Sequence, residues 1–202
     1  MVAREWCDSN HVLEVAGRSF AEYLGGRPGP VRTTLKRKAK KVSIEILRDF
    51  HRDAWQDYET VYAESWKPGE GDPTLLRRFA EAEGAAGRLR VGLARHEGDV
   101  VAAQFWTVED GTAYIHKLAH RESAKPLSAG TTLTAALFEH TIDRDCVKLV
   151  DFGTGDDPYK RDWMEQVRPR YRLTCWRRGA PRNWPEMGKA LLRRLVSRGA
   201  HG

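Results

Sequence analysis

Paired cysteines, long apolar runs and a phosphate-cradling glycine loop are all missing from this chain, and each absence closes off a class of function. Its three cysteines, Cys7, Cys146 and Cys175, are odd in number, far apart and outside any metal-ligand spacing. That excludes a disulfide framework or a cysteine-ligated zinc site and fits reduced thiols in a reducing compartment. Cys146 and Cys175 lie in or beside apolar segments, so the cysteines are expected to be structural. No stretch approaches the ~18 apolar residues of a membrane span, which predicts no integral membrane association. The opening MVAREWCDSN lacks the apolar core of a secretory leader, so the cytoplasm is the expected compartment. Asp151-Phe152-Gly153 and His51-Arg52-Asp53 imitate two fragments of the protein-kinase signature. They stand far apart, with no Gly-rich loop ahead of them, so the parts needed around one nucleotide are missing.

What is present is an ordinary soluble balance, 41% hydrophobic and 31% charged residues, in 202 residues. That length can bury a full core, and a single domain over 1–202 is expected. Basic residues exceed acidic ones, 34 against 28, for a net charge of +6. The excess is concentrated in 1–41, as RTTLKRKAKK, and in a basic C-terminal helix within 177–202. Such a surface favours polyanions: a phosphorylated cofactor, RNA or an anionic membrane. RTTLKRKAKK lacks interleaved aromatics and reads first as a solvated face, then as a contact for tRNA or a nucleotide-linked donor. In the terminal helix Leu191, Leu192, Leu195 and Val196 oppose Lys189, Arg193, Arg194 and Arg198. That stripe is expected to pack on a sheet, with a membrane surface as the alternative.

HVLEVAG reads as a short strand, after which Ser19 caps a brief helix, FAEYLGG. A helix from Pro30 and a strand SIEIL follow. Beyond Asp53, Trp55, Tyr58, Tyr62 and Trp66 recur at spacings of three and four. This predicts a helix with one aromatic stripe, core first and acceptor pocket second. Pro73 opens another helix. RLRVGLARH, DVVAAQFWTV and TAYIHKLAH are strand-like runs joined by the hairpin turns EGD and EDG, an antiparallel meander. Helical spacing returns over Thr131–Arg144. A strand VKLVDFG, a short helix YKRDWMEQV, a strand YRLTCWRR and the basic helix complete the order. A meander followed by a helical crossover makes a mixed sheet, and a ligand's natural seat lies between YIHKLAH and VDFGTG.

PLSAGTTL enters the Thr131 helix with small and hydroxyl residues. The free N–H groups of Ala129, Gly130 and Thr131 could hold a pyrophosphate; the alternative is an ordinary helix start capped by Ser128.

YIHKLAHRESAKPLSAGTTLTAALFEH followed by VDFGTGDDPYKRDW resembles the GNAT-type acyltransferases of the BioF2-like or CelD-like group, relatives of the FemAB peptidyltransferases. The resemblance covers roughly 32–176 and is most specific in Asp-Phe-Gly-x-Gly-Asp-x-x-Tyr-Lys. It implies an α/β (α+β) fold whose mixed, mostly antiparallel sheet is flanked by helices and splayed between its fourth and fifth strands, with an acyl-CoA co-substrate in the splay. On that scheme Lys117, Leu118, Ser128, Ala129, Gly130, Thr131 and Thr132 bind the cofactor. LSAGTT departs from the usual phosphate signature, offering Leu127 and a single glycine. Group members often carry an upstream half-domain for which this chain leaves little room, so a fragment, a shortened protein or a homodimer all fit.

The implied activity is N-acyl transfer, with acetyl-CoA one candidate donor, to a primary amine on a small molecule or peptide, by direct attack without metal. Lys160 or Tyr159 suits the donor that steadies the oxyanion and thiolate; Asp156 suits amine binding, with His116 or Asp151 as base. The local alternatives are a cap for Asp151, turn chemistry for Asp156-Asp157-Pro158 and a solvated helix face for Lys160-Arg161. Two other functions stay open: a FemAB-like transferase drawing an aminoacyl group from tRNA, and an inactive GNAT-shaped binding module.

Overall fold

The meander carries the fold, and its turns show why. In a computed structural model that describes residues 1–177 and 179–199, with side chains beyond Leu192 left aside, β3 (Leu89–His96), β4 (Asp99–Glu109) and β5 (Thr112–His120) pair antiparallel. Their connections are Glu97-Gly98 and Asp110-Gly111, all at positive φ. Two such residues make the turn whose twist matches that of the flanking strands. The earlier elements are β1 (Val2–Glu14), α1 (Phe20–Gly25), α2 (Gly29–Lys38), β2 (Ser43–Leu47), α3 (Arg52–Ala63) and α4 (Pro73–Ala85). After β5 come α5 (Ala129–Glu139), β6 (Leu149–Thr154), α6 (Pro158–Trp163), β7 (Gln166–Cys175) and α7 (Trp184–Gly199).

The chain divides into two compact units, 10–167 and the pair 1–9 with 168–202. In the larger unit the strands are ordered β2-β3-β4-β5-β6-β1, with every pair antiparallel except β5 and β6. Side chains alternate between two cores. Ala94, Ala102 and Trp106 join Leu133, Leu137 and Phe138 of α5 on one face. Leu93, Ala103 and Phe105 join Trp55, Tyr58 and Tyr62 of α3 on the other. A Cβ on Gly92 would fall 2.9 Å from both Leu133 Cδ1 and Leu137 Cδ1, so the missing side chain is what lets α5 lie directly on β3. Ser19 forms the expected cap of α1, closed reciprocally by Glu22.

In the smaller unit the outer half of β1 hydrogen-bonds to β7, ending with Met1 and Trp176 exchanging N–H···O bonds of 2.9 Å. Arg4 lies 3.6 Å over the Tyr171 ring. The side chains of Arg193, Arg194, Leu195, Val196 and Arg198 fall outside the described residues. Among the described residues no helix is long and apolar enough to cross a membrane.

Several expectations are corrected. β1 starts at Val2, not at His11. The Thr131 helix begins at Ala129 and finishes in a π-turn over His140–Arg144. α3 stops at Ala63, so Trp66 leaves the aromatic stripe and stands exposed. All three cysteines are exposed; beside Cys146 it is Val147 that turns inward, and beside Cys175 Leu173 is exposed as well.

Candidate active site

β5 and β6 pair at only three positions, Thr112 with Leu149, Ala113 with Val150 and Tyr114 with Asp151. Two residues later β5 bulges. Phe105 faces Lys117 and Trp106 faces Ile115, leaving His116 as the extra residue. A bulge bends its strand, so β5 follows β4 while β6 stays with β1 through Val12 and Asn10. The sheet therefore opens between β5 and β6, the fourth and fifth strands of the GNAT scheme. A cavity of about 530 Å³ fills the opening, lined by Ile115, His116, Lys117 and Leu118 on one side and Phe152, Gly153 and Thr154 on the other. Lys67, Asp157 and Lys160 add charge to its wall, with Tyr159 beside them. A second space of about 230 Å³ shares Leu118, Phe152 and Tyr159 with it and reaches Gly130, Thr131 and Thr134 at the start of α5.

The charge-rich exit of β6 sorts into structural and cavity-facing groups. Asp151 is the hinge of the turn: Oδ1 accepts the Gly153 N–H at 2.7 Å and Oδ2 accepts Asn10 Nδ2–H at 3.0 Å. Gly153 and Gly155 then adopt φ of 69° and 95°, a conformation costly for other residues. Asp156 turns away from the cavity lining, because its carboxylate is bound by Arg161 Nη2 at 2.6 Å and lies 3.0 Å from His11 Nε2. Arg161, then His11, hold its pKa below the ordinary carboxylate value. Its neighbour Asp157 lines the cavity instead.

Lys160 is buried, 4% exposed, and its ammonium donates to the Thr154 and Gly155 carbonyls beneath the cavity. It stands 5.5 Å from the Phe152 ring centre. Tyr159 meets Phe152 edge-on at 5.6 Å, and burial, then Asp157, push its phenol up to about 12. The hydroxyl is thus protonated across the physiological range. Trp163 stacks on Phe138 at 5.2 Å and so fastens α6 to α5.

His116 lines the cavity with Nε2 2.8 Å from Thr107 Oγ1 and its ring stacked on Phe105 at 4.9 Å. The surrounding protein lowers its pKa by desolvation, against the opposing pull of Glu83 and Asp151. Lys117, also on the wall, pairs with Glu70 at 3.0 Å.

At α5 the ordinary-cap alternative fails. Ser128 takes a left-handed backbone, φ 54° and ψ 36°, and its hydroxyl accepts from Lys38 Nζ at 3.2 Å instead of capping the helix. The first N–H groups of α5 therefore have no side-chain cap and form a donor set suited to an anion. Gly130 and Thr131 reach the smaller space; Ser128, Ala129 and Thr132 do not line it.

The start of α5 is itself held by a residue not singled out from sequence. Gln104 is fully buried; its amide donates to Thr134 Oγ1 at 2.7 Å and the Gly130 carbonyl at 3.2 Å, and its oxygen accepts from Trp106 Nε1 at 2.9 Å. One polar residue inside the apolar run DVVAAQFWTV was the available signal. Lys67, Asp157 and His120 are further wall residues outside the expected set.

Known structures share this architecture. The C-terminal DUF2156 domain of a protein described as a lysylphosphatidylglycerol synthetase from Agrobacterium fabrum superposes with a TM-score of 0.62 at 14% identity, over 85% of this chain and 61% of that one. FemX gives 0.65 at 9% identity, over 80% of this chain and 60% of that one. L-PGS from Bacillus licheniformis gives 0.60 at 13% identity, over 98% of this chain and 68% of that one. The chain thus spans about 60% of the length of the first two, and at such identities the likeness is one of fold. No curated protein matches the chain. The family model for the acetyltransferase (GNAT) domain matches residues 29–161, from α2 through the open strand pair to Arg161, and the chain belongs to that family.

Proposed function

We propose that the chain is an N-acyltransferase that passes an acyl group from acyl-coenzyme A to a primary amine by direct attack. The observation that carries the reading is the parting of β5 from β6 after Tyr114 and Asp151, with Tyr159 and Lys160 on the cavity it leaves. The uncapped first turn of α5, with Lys38 beside Ser128, offers N–H donors and a cation to the donor's pyrophosphate. A coenzyme A donor supplies an activated thioester carbonyl.

The chain's residues divide the remaining work. His116, with Nε2 engaged by Thr107, takes the ammonium proton at its other ring nitrogen; its lowered pKa keeps it neutral near pH 7. The amine nitrogen then bonds to the carbonyl carbon. Lys160, fixed by the Thr154 and Gly155 carbonyls, stabilises the charge developing on the carbonyl oxygen. As the carbon–sulfur bond breaks, Tyr159 O–H supplies the proton to the departing thiolate, and its phenolate takes back the second proton that the acylated nitrogen sheds. Asp151 acts through the turn it holds, and Asp156 through its bond to Arg161. No metal enters this scheme. The reading implies a cytoplasmic enzyme with an amine-bearing small molecule or peptide as partner, and a homodimer is compatible with it.

One observation favours a second donor. Lys38 at the α5 start belongs to a cluster with Lys36, Arg37, Lys40 and Lys41, large enough for a polyanionic carrier such as aminoacyl-tRNA. The test is thiol release from several acyl-coenzyme A donors with a library of amines, run beside salt-dependent tRNA binding. Thiol release that requires Tyr159 supports the first reading. Salt-sensitive tRNA binding without a coenzyme A effect replaces it with the second.

A further inference from the structure

A third cavity, of about 390 Å³, adjoins the open strand pair, sharing Tyr62 and Lys67 with the main one. Its walls are Trp55, Tyr58 and Tyr62 of α3 with Pro73 and Leu76 of α4. Two oxygens there are buried and have no hydrogen-bond partner among the described residues: Tyr58 Oη and Glu70 Oε2. The other Glu70 oxygen accepts from Lys117 at 3.0 Å, and Tyr58 is only 2% exposed. A second carboxylate, Glu59, accepts from Trp55 Nε1 at 2.9 Å and from Arg77 Nη2 at 2.5 Å. Both carboxylates of the side cavity carry a cationic partner, Glu59 in Arg77 and Glu70, through one oxygen, in Lys117, so Glu70 Oε2 is the carboxylate oxygen left open to a further donor.

Buried oxygens without partners carry a desolvation cost that a donor-rich ligand would relieve. Aromatic faces flanking a carboxylate select a cation over a neutral group, since the ring quadrupole and the charge act together. The cation cannot be the reacting nitrogen, which must reach His116, Lys160 and Tyr159 in the neighbouring cavity. We infer that the side cavity is an anchoring subsite for a second ammonium, so that the acceptor is a diamine: one nitrogen held by Glu70 Oε2 and Tyr58 Oη between aromatic rings, the other delivered past Tyr62 to the open strand pair. The inference rests on the acyl-transfer reading for the second nitrogen's fate, but the subsite itself is a matter of binding.

Calorimetric titration with 1,5-diaminopentane and with 1-aminopentane at pH 7.5, without any acyl donor, tests it. The diamine is expected to bind about tenfold or more tightly than the monoamine. Glu70→Gln and Tyr58→Phe, which keep the side-chain shapes, should each erode that preference while leaving coenzyme A stabilisation unchanged. Equal affinities, no detectable preference, or a preference that survives both substitutions would overturn the subsite. Thiol release is measured separately: a monoamine acylated as readily as the diamine removes the subsite and keeps the transferase, whereas diamine binding with no transfer from any donor does the reverse.

Discussion

Replacing Gln104 by leucine tests whether one buried amide holds the donor-binding end of α5. The side chain is fully buried and makes three hydrogen bonds, donating to Thr134 Oγ1 and the Gly130 carbonyl and accepting from Trp106. Without it Trp106 Nε1, on a ring with 0% exposure, is left a buried donor with no acceptor, which costs about 1–3 kcal/mol. The two donated bonds contribute about 0.5–1.5 kcal/mol each, softened because Thr134 Oγ1 still reaches the Gly130 carbonyl at 2.9 Å. The loss should be about 2–5 kcal/mol, a large share of the roughly 5–15 kcal/mol of a typical domain. Urea unfolding is the assay, with an expected midpoint drop of about 1–2 M. In the leucine background, Trp106→Phe should cost about 1–3 kcal/mol less than in the parent, because the unpaired donor is already lost there. Coenzyme A binding should weaken in parallel. A destabilisation below about 0.5 kcal/mol, or independent effects of the two substitutions, would refute the tether.

Tyr159→Phe keeps the ring against Phe152 and removes the proton donor, so kcat should fall about 10²–10⁴-fold with little change in donor affinity; an unchanged kcat would exclude Tyr159 as the acid. His116 must be neutral to accept a proton and its pKa lies below the ordinary histidine value, so kcat should fall with pH only below about 6.5. His116→Gln should abolish that limb, and Tyr159, near 12, should leave the profile flat through the mildly alkaline range. The same sign governs stability. His116, His120 and His140 all have lowered pKa values in the fold, so the unfolded chain binds more protons and urea midpoints should decline as pH falls below about 6.5. Gly92→Ala would press a methyl against Leu133 and Leu137 at 2.9 Å, and a loss of about 1–3 kcal/mol in thermal or urea unfolding is expected.

Local chemistry made the meander legible: Glu97-Gly98 and Asp110-Gly111 announce their own turns, and the flanking strands alternate between two cores. The first half of β1 carried no such signal, since only Ala3 is buried among its opening residues. A periodicity argument has nothing to read there. The site was legible as a neighbourhood but not atom by atom. Tyr159 and Lys160 do reach the cavity, whereas Asp157 lines it in place of Asp156, whose carboxylate is taken by Arg161. Asp151 read in sequence as either a base or a cap of the turn after it, and the bonds to Gly153 and Asn10 favour the cap. Ser128 looked like a cap and is prevented by its left-handed backbone. Such outcomes depend on torsions and distant partners, which residue type and spacing do not encode.

The most direct test of the account is amide chemical-shift mapping with coenzyme A titrated into the protein, and in parallel with an aminoacylated RNA minihelix. The account predicts that one of these ligands shifts 115–118, 129–132 and 152–154 together, the two strand edges and the helix start around the opening. Shifts confined to other surfaces with both ligands, leaving those three segments unmoved, would contradict it.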